Sequence, residues 1–289
     1  MAEVELVHDA RAELGEGPIW DAASSRVLWV DILQGRVHRF DPVSGHDEIR
    51  EIGRPVGAVT PSRDGSIVLA TTRGFERLEW ETGRVSTIAE VEADRPGNRM
   101  NDGACDPAGR FWAGTMALDE SGSSGALYRL DPDGRVSKMV GDISISNGIA
   151  WSADERVMYY VDSPTQRVDV FDYDLATGAI ANRRTLVRIA PEHGFPDGLV
   201  LDADGYIWVA LWAGSALHRY APDGTLDRVV ALPASYPTKC AFGGASLDEL
   251  YITSATIGLR RAGKPVQAPD GGLLRIRPGV RGAAPYVYG

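Results

Sequence analysis

The chain has 289 residues, 44% of them hydrophobic and 24% charged, with a formal net charge of -10. That length admits one large all-β unit, and the composition is that of a globular protein with no apolar run near the roughly 20 residues of a membrane helix. The acidic balance argues against nucleic acid or an anionic membrane as a partner.

The N-terminal segment MAEVELVHDARAELGEG is acidic where a signal peptide needs a basic and then an apolar stretch, which predicts a cytoplasmic protein. Within it, VELVHDA (4–10) reads as a strand with no partner of its own. From there on, short β-branched and aromatic runs recur, most of them after Asp/Gly/Pro turns: RVLWV (26–30), SIVLA (66–70), RFWAG (110–114), RVMYYV (156–161), YIWVA (206–210) and ELYIT (249–253). A later strand-like run closes each unit: RVHRF, FERLEW, ALYRL, VDVFDY, ALHRY and LLRIR. No long stretch has convincing helical periodicity.

Each unit also shares an entrance: EGPIWD (16–21), VGAVTP (56–61), DGACDP (102–107), NGIAWS (147–152), DGLVLD (197–202) and, more loosely, TKCAFG (238–243). Repeats of this length are the signature of four-stranded blades around an axis. The expectation is one domain over 1–289, an all-β, six-bladed β-propeller of antiparallel blades. The sixth unit is short after Arg277, so the N-terminal run is expected to pair into the last blade and close the ring.

In a propeller the first strand of each blade lines the axis, so the residue before the repeated glycine reaches one channel mouth in every blade. Around the ring that position reads Glu16, Val56, Asp102, Asn147, Asp197 and Thr238. Converging carboxylates repel and lose hydration unless a cation lies between them. The all-oxygen set predicts one divalent metal ion, with Ca2+ expected first and Mg2+, Mn2+ or Zn2+ as alternatives. Asp-Gly and Asn-Gly are also common turn pairs. Glu16, Asn147 and Asp197 are taken as the ligands, and Asp102 as a possible addition that turn chemistry would explain equally well. The histidines (8, 38, 46, 193 and 218) show no paired spacing of a zinc site, and His193 reads as a surface-loop residue. Cys105 and Cys240 form no disulfide framework and read as small buried hydrophobes.

At these residues the chain closely resembles the SMP-30/gluconolactonase/regucalcin family. LGEGPIWD, RMNDGACDPAGRFWAGTM (99–116), ISNGIAWS, PDGLVLDADGYIWVA, CAFGG and the terminal GAAPYVYG match its motifs in order. The resemblance covers nearly the whole chain and implies a metal-dependent hydrolase of sugar lactones. It places the metal on Glu16, Asn147 and Asp197, and the general base on Asp197. It implies substrate contacts from Arg99, Asn101 and Asp119, the last in GTMALD where the animal regucalcins usually carry Glu. Two other readings stay open: a calcium-binding regulatory protein without important catalysis, and a related propeller esterase or phosphotriesterase, which would want a more apolar pocket. Most tryptophans lie in strand runs and read as inter-blade packing, with Trp212 the candidate for stacking on a substrate. The polar loop ALDESGSSG (117–125) is expected to lie over the site as a mobile lid.

Overall fold

Short β-branched and aromatic runs broken by turns recur in each repeat, and the computed structural model, which describes residues 3–289, folds the chain into six four-stranded antiparallel sheets. Five sheets are made of consecutive strands, spanning 15–51, 56–90, 98–143, 146–188 and 195–231. The sixth is built from Pro237–Gly243, Glu249–Ser254 and Leu273–Ile276, and its outer edge is taken by Glu5–His8 from the other end of the chain. Glu5, Leu6 and His8 register against Arg275, Leu274 and Leu273, so the N-terminal run does close the ring. The sheets are called blades one to six in chain order, with Glu5–His8 completing blade six. No helix among the described residues is long and apolar enough to cross a membrane.

The apolar core is divided among the blade interfaces instead of lying at one centre. Blades one and two bury Leu28, Val30, Val59 and Leu69 against each other. Blades six and one enclose Trp20, Trp29, Phe40 and Tyr251. Trp112 and Trp208 are fully buried, in keeping with inter-blade packing.

Two aspartates repeat one structural device. Asp106 Oδ1 accepts the N–H groups of Ala108 and Arg110 at 3.0 and 2.9 Å, which closes the turn after the first strand of blade three. Its Oδ2 accepts from Trp112 Nε1 at 2.9 Å, Arg110 Nη1 at 3.1 Å and, across to blade four, the Tyr173 hydroxyl at 2.8 Å. Asp202 does the same in blade five for Asp204, Tyr206, Trp208 and Arg219. Asp106→Ala would leave several buried donors unpaired, and we expect it to cost about 3–5 kcal/mol in urea unfolding. A loss below about 1 kcal/mol would show that water replaces the carboxylate freely.

The C-terminal segment crosses the far end of the axis. Gly282 bridges to Asp202, Tyr288 pairs with Ser62, and the Gly289 N–H donates to Gly109 O at 3.0 Å. This tail and the inner strands enclose a cavity of about 150 Å³ at that end of the channel, lined by groups such as Trp20, Trp151, Phe242 and Tyr286.

Candidate active site

The innermost strands are not regular. All six break register at the repeat position: between Glu16 and Ile19, Val56 and Ala58, Met100 and Gly103, Ser146 and Ile149, Pro196 and Leu199, and Pro237 and Lys239. A bulge re-aims the side chain next to it, and here one falls at the equivalent position of the inner strand in every blade. The glycine that follows has a second cause. Only Gly17 among these has a positive φ, at 56°. At Gly57 an added Cβ would fall 2.3 Å from Asn101 O, and at Gly148 it would fall 2.8 Å from Asp197 O. These glycines therefore serve close approach of neighbouring inner strands more than tight turning.

Two further aspartates hold the ligand strands from behind. Asp31 accepts from the N–H groups of Glu13 and Leu14 at 2.9 and 3.1 Å, just before Glu16. Asp162 accepts from Ser144 and Ile145 at 3.2 and 2.9 Å, just before Asn147. Both close the second strand of their blades, in WVD (29–31) and YVD (160–162), a repeat signal that the entrance motifs overshadow.

At the mouth opposite the C-terminal tail, Glu16, Asn147 and Asp197 meet in the wall of one cavity of about 250 Å³, together with Arg99 and Asn101. All five are at most 5% exposed. Asn147 Nδ2 donates to Ser163 Oγ at 2.8 Å, and its Oδ1 accepts from Asn101 Nδ2 at 3.1 Å. Asn101 Nδ2 also donates to Ser146 O at 2.8 Å, and Asn101 Oδ1 accepts from Arg99 Nη1 at 2.6 Å. The amide donors of Asn101 are thus spent inside the protein. Its direct work is to orient Arg99 and Asn147, and the rest of the Arg99 guanidinium faces the cavity.

Burial and the charge of Asp102 push Glu16 up to about 8. Burial together with the charges of Glu16 and Asp102 raises Asp197 well above the usual carboxylate range. Asp197 Oδ1 is buried and has no hydrogen-bond partner. Two desolvated carboxylates set against each other, one with an orphaned oxygen, are the environment a hard cation would relieve. The residues fit a divalent ion, which Glu16, Asn147 and Asp197 would hold through oxygen. Among the described residues there is no grouping of three or more His, Cys, Asp and Glu side chains suited to a metal; the set here is two carboxylates and an amide.

Three repeat positions do not reach this cavity. Val56 is buried, Thr238 spends its hydroxyl on Gly15 O at 2.6 Å, and Asp102 lies deeper, paired with the Lys239 ammonium. Asp119 is exposed, and its Oδ1 accepts the Ser121 N–H and hydroxyl at 3.0 and 2.8 Å, so it stands outside the cavity wall. The acid from this loop that lines the cavity is its neighbour Glu120, paired with Arg261 at 2.8 Å across the mouth. Residues 118–124 are exposed, except that Leu118 and Glu120 also form part of the cavity wall.

Trp212 lines the cavity and packs edge-on to Tyr236 at 4.8 Å. His193 sits in a short turn with its ring 5.2 Å from His218, away from the cavity. Burial pushes the thiols of Cys105 and Cys240 up to about 12, as suits packing residues. Apart from the Glu120–Arg261 pair, the rest of the wall, not foreseen from the repeats, is largely apolar, with Leu14, Leu33, Leu118, Ile145, Phe195 and Ile257.

A family model described as the SMP-30/Gluconolactonase/LRE-like region matches residues 14–256. Regucalcin of Gallus gallus is 39% identical over 293 aligned residues, covering 99% of this chain and 98% of the relative. A solved luciferin-regenerating enzyme superposes with a TM-score of 0.94 at 33% identity, covering 100% of this chain and 99% of the other. Regucalcin of Agrobacterium tumefaciens, described as a calcium-binding protein, superposes with a TM-score of 0.93 at 30% identity, covering 100% and 98%.

Proposed function

The chain belongs to the SMP-30/gluconolactonase/LRE-like family, and from that premise we propose that it is a metal-dependent carboxylic-ester hydrolase that opens a sugar lactone to its hydroxy acid. One observation carries the reading: Glu16, Asn147 and Asp197 converge in one cavity while Asp197 Oδ1 has no partner. A divalent ion held by these three, Ca2+ by the calcium-binding relative, would supply Lewis acidity to the ester carbonyl and positive charge against the developing oxyanion.

The chain's own groups have separate tasks. Asp197 is the group assigned to take the proton of the attacking water, since burial and the charges of Glu16 and Asp102 raise its affinity for a proton. Water oxygen bonds to the acyl carbon, the ring C–O bond breaks, and the proton is returned to the departing alkoxide. Arg99, oriented by Asn101, offers its remaining N–H donors to substrate hydroxyl or ring oxygen. Burial lowers the Arg99 guanidinium only to about 10, so it stays charged at neutral pH.

The test is a hydrolysis screen of a lactone panel with metal-stripped protein and several divalent ions. Stripped protein is expected to fall to the uncatalysed rate and to recover when an ion is returned. Turnover that survives stripping would overturn the metal dependence. Calcium uptake with no turnover on any lactone would favour a regulatory role instead. The apolar upper wall favours a second reading, an ester or lactone bearing an apolar group, and aryl esters in the same panel decide it.

A further inference from the structure

Five inner strands carry glycine after the repeat position, at Gly17, Gly57, Gly103, Gly148 and Gly198, and the sixth carries Lys239. An added Cβ at Gly198 would fall 2.3 Å from Lys239 Cγ, so the lysine stem runs across the residue next to Asp197. Its ammonium then reaches blade three, where it pairs with Asp102 and donates to Gly103 O at 3.2 Å. Lys239 is 6% exposed and Asp102 is 1% exposed. Asp102 Oδ1 also accepts the Gly103 N–H at 2.7 Å, while Asp102 Oδ2 is buried without a partner.

This pair lies between the two cavities of the axis. Lys239 lines the lower, apolar cavity, and neither it nor Asp102 lines the upper one. Both Glu16 and Asp197 nevertheless feel the charges of Lys239 and Asp102. Three carboxylates are thus packed about the axis, and a covalently attached cation has claimed the deepest. An ammonium in this position does electrostatically what a second metal ion would do, without exchanging with solvent.

We propose that Lys239 is a fixed counter-cation that withdraws Asp102 from the ligand set and confines the site to one divalent ion held by Glu16, Asn147 and Asp197. The inference rests on reading the upper cavity as a metal centre. With lysine and aspartate both present the floor is near neutral. Removing the lysine leaves a bare carboxylate that attracts an ion more strongly or binds another. Removing the aspartate leaves a bare ammonium that repels it.

The experiment titrates the metal-stripped full chain calorimetrically with Ca2+ and with Mn2+ and records thermal melting of the same samples. The wild type and the double variant Asp102→Asn/Lys239→Met should each bind one equivalent with similar affinity. Lys239→Met should bind at least about tenfold more tightly or take up a second equivalent, and Asp102→Asn should bind at least about tenfold more weakly. Unchanged affinity and stoichiometry in both single variants, with only the melting temperature moved, would reduce the pair to a structural tie and overturn the proposal. Two equivalents in the wild type would overturn it too. Where one single variant fails to fold, the other decides against the wild type, and the double variant reports whether charge balance or the pair itself matters. No uptake by the wild type would remove the metal centre and this inference together, a failure visible without any variant.

Discussion

Asp197→Asn is expected to lower kcat by about 10²–10⁴-fold while making the metal-free protein more stable. The two effects have one origin. Asp197 is buried beside Glu16, its Oδ1 has no partner, and desolvation and the charges of Glu16 and Asp102 all oppose its ionisation. The protein thus retains a local arrangement that costs folding energy, and the amide would relieve it while losing the negative oxygen that the proposed metal site and proton transfer would use. A gain on the order of 1 kcal/mol should raise the melting temperature of metal-free protein by ~2–4 °C. Saturating divalent ion should stabilise the wild type and leave the variant nearly unmoved, because only a species that binds the folded state shifts its melting. Full turnover in the variant would remove Asp197 from the reaction. A lower melting temperature without metal would show that its carboxylate is satisfied in a way the geometry does not reveal.

The architecture and the centre of this site were legible because both follow from the repeat. Glu16, Asn147 and Asp197 occupy equivalent positions on inner strands, each at the common bulge. What the repeat could not decide was how equivalent letters differ. Asp102 and Asp197 both stand in Asp-Gly pairs at the same phase, yet one lines the cavity and the other is held beneath it. The difference is made by Lys239, 137 residues from Asp102 in sequence. The signal was present as a lysine where the other five units have glycine, but its partner could be found only by closing the ring.

Loops obey no repeat, and there the sequence says least. Asp119 follows the motif, but the turn hands its oxygen to Ser121 and sends Glu120 toward Arg261. The apolar wall formed by Leu33, Phe195 and Ile257 is contributed by three different blades, so no single stretch of sequence displays it. The legible part of the site is therefore the part the symmetric scaffold holds, and the part that selects among substrates is added on connections of differing length.

Deleting residues 1–10 should destabilise the protein severely, with a fall of about 10 °C or more in melting temperature or failure to fold, since it removes a strand and opens a ring. Without Glu5–His8, the strand Leu273–Ile276 becomes a free edge whose Leu273 and Leu274 are fully buried in the intact ring. The same segment is tied to the rest of blade six and also reaches blade one. Arg275 pairs with Glu5 at 2.6 Å, and His8 meets Asp47 of blade one at 3.3 Å. His8 also packs on Phe40 at 5.8 Å, within the interface that buries Trp29. A linear stack of blades could lose a terminal strand and fray locally, but a closed ring transmits the loss, because blade one carries Glu16 and depends on blade six for one of its two packed faces. Metal uptake should consequently weaken along with melting, although the deletion touches no proposed ligand. The separation of effects comes from Glu5→Ala, which breaks only the part-buried pair with Arg275 and should leave both within about 1 kcal/mol of wild type. A truncated chain that melts and binds like the wild type would mean that the sixth blade is complete with three strands.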